Sequence, residues 1–297
     1  MTALPPILGS YWTLAAGADP QGEQRCVHDF RVRVETAARA GFTAMGFWHV
    51  DLLENRTKLG FPEMRRVLDG NGITEIEVEW LLDWFCTDHR RVASDETRRL
   101  LLDAAEELGA RHIKIGDLGN DCADVALMTH EFGILCREAA ERGTNVLFEM
   151  LPAPLSRAPS LDAVLSICTG SGATNGGIML DNLHVQRNGT PLEDIVQKIP
   201  RGMPLGVEIN DGSLARPVNF VDSVVNKRLL PGDGEFDISA FLGAVWTQGY
   251  DGPIGVEVLN EYMRKWSLET SAIESFAKTT RAVATAWAHW QSIRKPR

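Results

Sequence analysis

The 297-residue chain has no CxxC motif, no glycine-rich phosphate loop and no apolar run of membrane-spanning length. Its five cysteines (Cys26, Cys86, Cys122, Cys136 and Cys168) are scattered and odd in number, which argues against a disulfide framework or a zinc knuckle and for a reducing cytosol. The absence of GxGxxG and GxxxxGK[ST] removes the usual signs of a doubly wound nucleotide-binding sheet. The opening "MTALPPILGSYW" lacks a basic region followed by an apolar core, so no secretory signal is expected and the predicted location is cytoplasmic. Basic charge is also scarce: 30 Lys and Arg stand against 40 Asp and Glu, a net charge of -10. That balance excludes a protein that grips nucleic acid through its phosphates. No membrane partner is expected either.

What is present is alternation. Short apolar runs ("ILGSYWTLA", "TAMGFWHVD", "EIEVEWLLDWF", "RHIKIGDL", "NVLFEML", "GGIMLDNLH", "PLGVEIND", "PIGVEVLN") are separated by amphipathic stretches such as "SDETRRLLLDAAEELGA" and "DISAFLGAVWTQGY". In the former, Leu100, Leu101, Ala104, Ala105 and Leu108 recur at helical spacing. Gly41, Gly109, Gly143 and Gly249 close helices ahead of the next strand. Eight strands alternating with eight helices predict an α/β fold, a (β/α)8 TIM barrel forming a single domain over 1–297. A C-terminal helix over about 267–294 closes it, with Ser271 and Glu274 read as a capping box and Trp287 and Trp290 as packing residues. The irregular stretch 212–235 falls on the active-site side and reads as a lid or pocket wall.

The last four apolar runs each end in an acid: Glu149, Asp181, Glu208 and Glu257. A lone buried carboxylate costs several kcal/mol unless paired, hydrogen-bonded or bound to metal. In a barrel these strand ends meet at one face, so the four acids predict a shared divalent cation of the oxygen-preferring kind: Mn²⁺ first, with Mg²⁺, Co²⁺ or Zn²⁺ as the other choices. The competing expectation is that each acid pairs with a nearby Arg or Lys.

Around these acids the chain resembles the xylose-isomerase-like TIM-barrel superfamily, the sugar phosphate isomerase/epimerase group. The resemblance lies in "FEMLP" with Glu149, "LDNLHVQRNG" with Asp181, His184 and Arg187, "VEINDG" with Glu208 and Asp211, "GVEV" with Glu257, and "RLLPGDGEFD" leading into the last helix–strand pair. It implies a divalent metal held by Glu149, Asp181, Glu208 and Glu257, with Glu149 and Glu257 as the catalytic proton carriers and His184 as a substrate contact. Where such proteins carry His or Gln on strand seven, this chain has Glu208. A fourth acid lowers the Lewis acidity of the ion or leaves Glu208 free as a base. The histidine-rich, multi-zinc endonuclease branch does not fit seven histidines with one in the motif region.

The predicted activity is isomerisation or epimerisation of a sugar, cyclitol or related polyhydroxy ketone, by carboxylate-mediated proton abstraction beside a metal-polarised carbonyl. A dehydratase with the same base and metal, similar to dehydroshikimate and keto-inositol dehydratases, is the alternative; a non-catalytic metabolite-binding barrel is the third reading. Arg228, Lys114 and His49 are candidate substrate contacts, Arg187 a brace for one of the acids, and Trp12, Trp48 and Glu79 lining for the other half of the mouth. Homo-oligomerisation is left open.

Overall fold

In a computed structural model, which describes residues 4–119 and 124–294, eight parallel strands close into a barrel in sequence order. They are β1 (Ile7–Gly9), β2 (Ala44–Trp48), β3 (Glu75–Leu81), β4 (His112–Ile115), β5 (Asn145–Glu149), β6 (Gly176–Asp181), β7 (Leu205–Ile209) and β8 (Ile254–Val256). β8 pairs with β1, so no edge is left open. Most strand residues are buried on both faces, which is why the strands read as near-continuous apolar runs.

All eight predicted runs are longer than the strands they contain, and in two of them a tertiary contact shows why. The chain leaves the sheet at Gly9 and makes a helical turn, Tyr11–Leu14, because Thr13 Oγ1 donates to the Val256 carbonyl and accepts from Val258 N–H, drawing the segment over the top of β8. β3 ends at Leu81, and the indole of Trp84 turns back to donate to the Gly116 carbonyl.

The alternation holds, but the strict count of eight helices does not: twelve α-helices occur among the described residues. Extra turns follow several strands, as with His49–Leu59 and Phe61–Gly70 after β2, or Asn182–Asn188 and Leu192–Lys198 after β6. Local capping sets many of the starts: Asp237 accepts from Ala240 N–H ahead of Ile238–Gln248, and Ser160 from Ala163 N–H ahead of Leu161–Gly170. The four glycines expected after helices all take positive φ.

The C-terminal helix Leu268–Arg294 is capped not by a Ser271–Glu274 box but one turn earlier, where Ser267 Oγ accepts from Thr270 N–H; Ser271 is buried inside the helix. This helix joins the outer ring between Phe30–Ala40 and Ile238–Gln248. Trp287 and Trp290 pack with Trp246, ring centroids 4.8 and 5.6 Å away. Cys26, Cys86, Cys136 and Cys168 are free thiols; Cys122 lies outside the described residues.

Inside the barrel, side chains two residues apart stack in two layers. The deeper one draws on Glu77, His112, Leu147 and Met179 and on the glycines Gly206 and Gly255. Glycine at 255 is required by crowding: a Cβ there would stand 2.9 Å from Glu208 Cγ. The layer above holds Glu79, Lys114, Glu149, Asp181, Glu208 and Glu257, one period-two step further along the same strands.

Candidate active site

The four predicted acids converge. Asp181 and Glu208 are register partners on adjacent strands, and Glu149, Asp181, Glu208 and Glu257 each offer a carboxylate oxygen within 4.8 Å of the others. All four are buried. Their surroundings differ, and the difference sorts their roles.

Asp181 is held at both oxygens. As the cap of helix Asn182–Asn188 its Oδ1 accepts from Leu183 N–H at 2.7 Å and from Asn210 Nδ2 at 2.9 Å, while Oδ2 receives Arg228 Nη1 at 2.6 Å. Asn210 escaped the sequence reading, although it sits two residues beyond Glu208 on the same face of its strand. Glu257 is also doubly engaged, by Lys114 Nζ at 3.0 Å on Oε1 and Arg228 Nη1 at 2.8 Å on Oε2. Glu208 turns both oxygens to Lys114 Nζ, at 2.9 and 3.1 Å. It is therefore the counter-ion of a lysine reaching across from β4, not a free base. The ammonium also meets Glu79 Oε2 at 2.6 Å.

One ammonium cannot neutralise three carboxylates. Burial, with the charge of Glu257, pushes Glu208 well above the ordinary carboxylate range against the pull of Lys114. Burial likewise pushes Glu79 up to about 8. Glu257 goes the other way: burial is outweighed by Lys114 and Arg228 together, which hold it at about 2. Burial works against the charge on Lys114, but the surrounding glutamates hold its ammonium well above the ordinary lysine range.

Glu149 stands apart. It is 5% exposed, yet no donor among the described residues hydrogen-bonds its carboxylate; the imidazole of His184 is near, its Nε2 at 3.4 Å. That nitrogen is 3.8 Å from Asp181 Oδ2, and neither ring nitrogen of His184 has a hydrogen-bond partner. A buried imidazole with no hydrogen-bond partner among the described residues, beside a carboxylate that lines the cavity and is held by no donor, is what a cation or ligand would complete. Five carboxylates here face two permanent cations, Lys114 and Arg228; were all five ionised, three negative charges would be left over, and burial together with that excess is what pushes Glu79 and Glu208 up. Donor chemistry, spacing and charge all fit a divalent ion.

Glu149 and Glu257, with Glu79, line a cavity of about 280 Å³ whose wall carries Trp12, Trp48 and Trp80; Asp181 and Glu208 lie behind that lining. Arg228 is delivered to it from the stretch after β7, where its Nε donates to the Val224 carbonyl and Asn260 holds its own carbonyl. That stretch is not wholly irregular, since it contains the helix Phe220–Val225. It is pinned by Asp211, which accepts from the backbone of Gly212, Gly232 and Phe236. Arg187 donates to the Ser213 and Ala215 carbonyls and so steadies this loop instead of bracing an acid. Of the weaker candidates, Lys114, Glu79, Trp12 and Trp48 line the cavity. His49 does not: it begins the helix after β2, and its Nδ1 accepts from Trp80 N–H at 3.4 Å behind the aromatic wall.

Residues 34–281 match the family described as xylose isomerase-like TIM barrel. The chain belongs to that family. Among family relatives, the 3-dehydroshikimate dehydratase of Pseudomonas aeruginosa is 25% identical over 249 residues, covering 82% of this chain and 38% of the relative. The inosose isomerase of Bacillus velezensis is 25% identical over 146 residues, 49% of this chain and 50% of the relative. The chain thus spans half the length of these relatives or less. Among solved structures, the IOLI protein with a bound zinc atom superposes with a TM-score of 0.81 at 16% identity, covering 95% of this chain and 99% of that one. An L-ribulose 3-epimerase gives 0.71 at 14% identity, covering 99% and 100%. At such identities these likenesses speak to the fold alone. The two family relatives above are a dehydratase and an isomerase, and no helix among the described residues is long and apolar enough to cross a membrane.

Proposed function

We propose that the chain is a metal-dependent isomerase or epimerase that moves a proton next to the carbonyl of a hydroxy ketone. The observation that carries this reading is the contrast within the acid cluster: Asp181, Glu208 and Glu257 are held by donors, whereas Glu149 is buried beside His184 with no donor of its own. Glu149, Asp181 and Glu257, with Glu208 behind them, would hold the ion, and an all-oxygen donor set favours Mn²⁺ over softer metals. Bound there, a divalent ion polarises a carbonyl and acidifies the neighbouring C–H.

Glu149 is the proton acceptor in this reading, because its carboxylate is the one not spent on a neighbour. Glu257, held between Lys114 and Arg228, keeps its charge and serves as an anchor more than as a second base. Arg228 fixes Asp181 and Glu257 relative to each other through one guanidinium nitrogen. His184, with both ring nitrogens unpartnered, is placed to hydrogen-bond a substrate oxygen and to exchange a proton with it. A base that collects a proton and returns it to the adjacent carbon gives isomerisation; epimerisation requires a carrier on each face.

The second reading, β-elimination of water, is favoured by the dehydratase relative aligning over 82% of the chain. Both are tested together. Metal content is measured on purified protein and on a Glu149→Gln/Glu257→Gln variant, and hydroxy ketones are then incubated in D₂O with Mn²⁺. About one ion per chain, lost in the variant, with deuterium entering a product of otherwise unchanged mass, supports the isomerase. Loss of water from the substrate supports the dehydratase. No bound metal even in excess, and no exchange, would sink both and leave a metabolite-binding barrel.

A further inference from the structure

The cavity is divided, and the division selects a substrate. Its charged groups, Glu79, Lys114, Glu149, His184, Arg228 and Glu257, belong to one cluster joined through Lys114 and Arg228. Among the described residues the remaining wall is almost entirely apolar, with three tryptophans and with Leu155, Val221 and Leu259. The indoles form a row, Trp12 against Trp48 at 4.8 Å and Trp48 against Trp80 at 6.1 Å between ring centroids. The rim is apolar too, since Leu118 and Val221 line the cavity while 44% and 43% exposed.

Two features of the polar groups narrow the ligand further. Both permanent cations lining the cavity are committed to carboxylates, Lys114 to three glutamates and Arg228 to Asp181 and Glu257, so neither is spare for a phosphate. On the wall Gln24 is half engaged: its Oε1 accepts from Trp48 Nε1 and its Nε2 donates to the Pro20 carbonyl, which leaves it one N–H and one lone pair. Trp80 differs, since its buried Nε1–H has no partner among the described residues. A sugar with a hydroxyl on every carbon would therefore strip water from more hydroxyls than these groups can bond, each one left over weakening binding roughly tenfold. A hydrocarbon or aromatic body loses nothing there and gains contact with the indole row.

We infer that the substrate is an unphosphorylated hydroxy ketone whose two oxygens meet the acid cluster and whose remainder is an aryl or alkyl body packed on Trp12, Trp48 and Trp80, with one acceptor for the Trp80 indole N–H. This rests on the hydroxy-ketone reading given above and specifies its substrate class. The test uses four probes titrated calorimetrically into Mn²⁺-supplied full-length protein: hydroxyacetone, 2-hydroxyacetophenone, D-fructose and fructose 6-phosphate. The first three share the hydroxy-ketone end and differ in the body attached to it. 2-Hydroxyacetophenone is expected to bind at a one-to-one ratio and at least tenfold tighter than each of the others. Trp12→Ala and Leu155→Asn, at partly exposed wall positions, should each shrink that preference at least threefold with the circular dichroism unchanged.

Equal or tighter binding of fructose or its phosphate overturns the inference, as does a phenyl compound no better than hydroxyacetone. Repeating the titrations without metal separates the two levels. A phenyl preference that needs no metal keeps the divided cavity and sinks the metal-assisted reading; metal-dependent binding that favours fructose does the reverse. Binding by none of the four counts against both.

Discussion

Two pairs of charged residues lie on the same two strands, one step apart, and they behave differently. In the deeper layer Glu77 and His112 are register partners and meet one to one, Oε2 to Nε2 at 3.1 Å, beside a space of only about 10 Å³. In the layer above, Glu79 and Lys114 are again register partners, but the ammonium is shared with Glu208 and Glu257, and the layer opens onto the 280 Å³ cavity. A pair matched one to one in a tight space fills a core, even with Glu77 Oε1 and His112 Nδ1 left without partners among the described residues. An unmatched surplus of acids beside open volume is a place where something else is meant to bind.

That contrast can be broken or sharpened by substitution. The largest effect should come from Lys114→Met, which strands three buried carboxylates; a loss of about 3–5 kcal/mol is expected in denaturant titration. A loss below about 1 kcal/mol would mean the acids do not depend on that ammonium. Glu149→Gln should do the opposite, changing stability by less than about 1 kcal/mol while lowering metal-dependent proton exchange by about 10²–10⁴. If it unfolds the protein as Lys114→Met does, the distinction between anchored and free acids is wrong.

Third is a pH effect at His49. Burial lowers its pKa from 6.5 to about 4, so the folded state binds fewer protons than the unfolded chain between these values. The stability it contributes is complete above pH 6.5 and is lost as the pH falls towards 4, by at most about 3 kcal/mol. His49→Gln should flatten that part of the stability–pH curve, and an unchanged slope would assign it to other groups. The smallest effect belongs to the deeper layer: His112→Leu should cost about 1–3 kcal/mol by leaving Glu77 unpaired, with exchange kinetics untouched.

The barrel was readable from the sequence because strand and helix periodicities are local, and the acids were readable because each ends an apolar run. Their partners were not. Lys114 is 94 residues from Glu208, and Arg228 is 47 from Asp181, so only the closed fold brings them together. Read alone, Glu208 looks like a departure from the family pattern; beside Lys114 it is half of an ion pair, and the expected choice between shared cation and individual salt bridges becomes a division of labour. Element boundaries were blurred where a tertiary contact overrode local pattern, as Thr13 does in ending β1.

Asp211 has a consequence for how this barrel tolerates change. By gathering three backbone N–H groups from the two ends of the stretch after β7, and bridging to Leu229, it closes that excursion at its base. Arg228 sits beside the closure, so its position is set by the knot and not by the length of chain looped out beyond it. Loop-closure entropy rises only slowly with length, about 0.6 kcal/mol per doubling. Segments grafted near Pro217 and Val218, the latter fully exposed, would thus reshape the entrance while leaving the guanidinium in register with Asp181 and Glu257. The molecule carries, in one aspartate, a boundary between a part that evolution can edit freely and a part that it cannot.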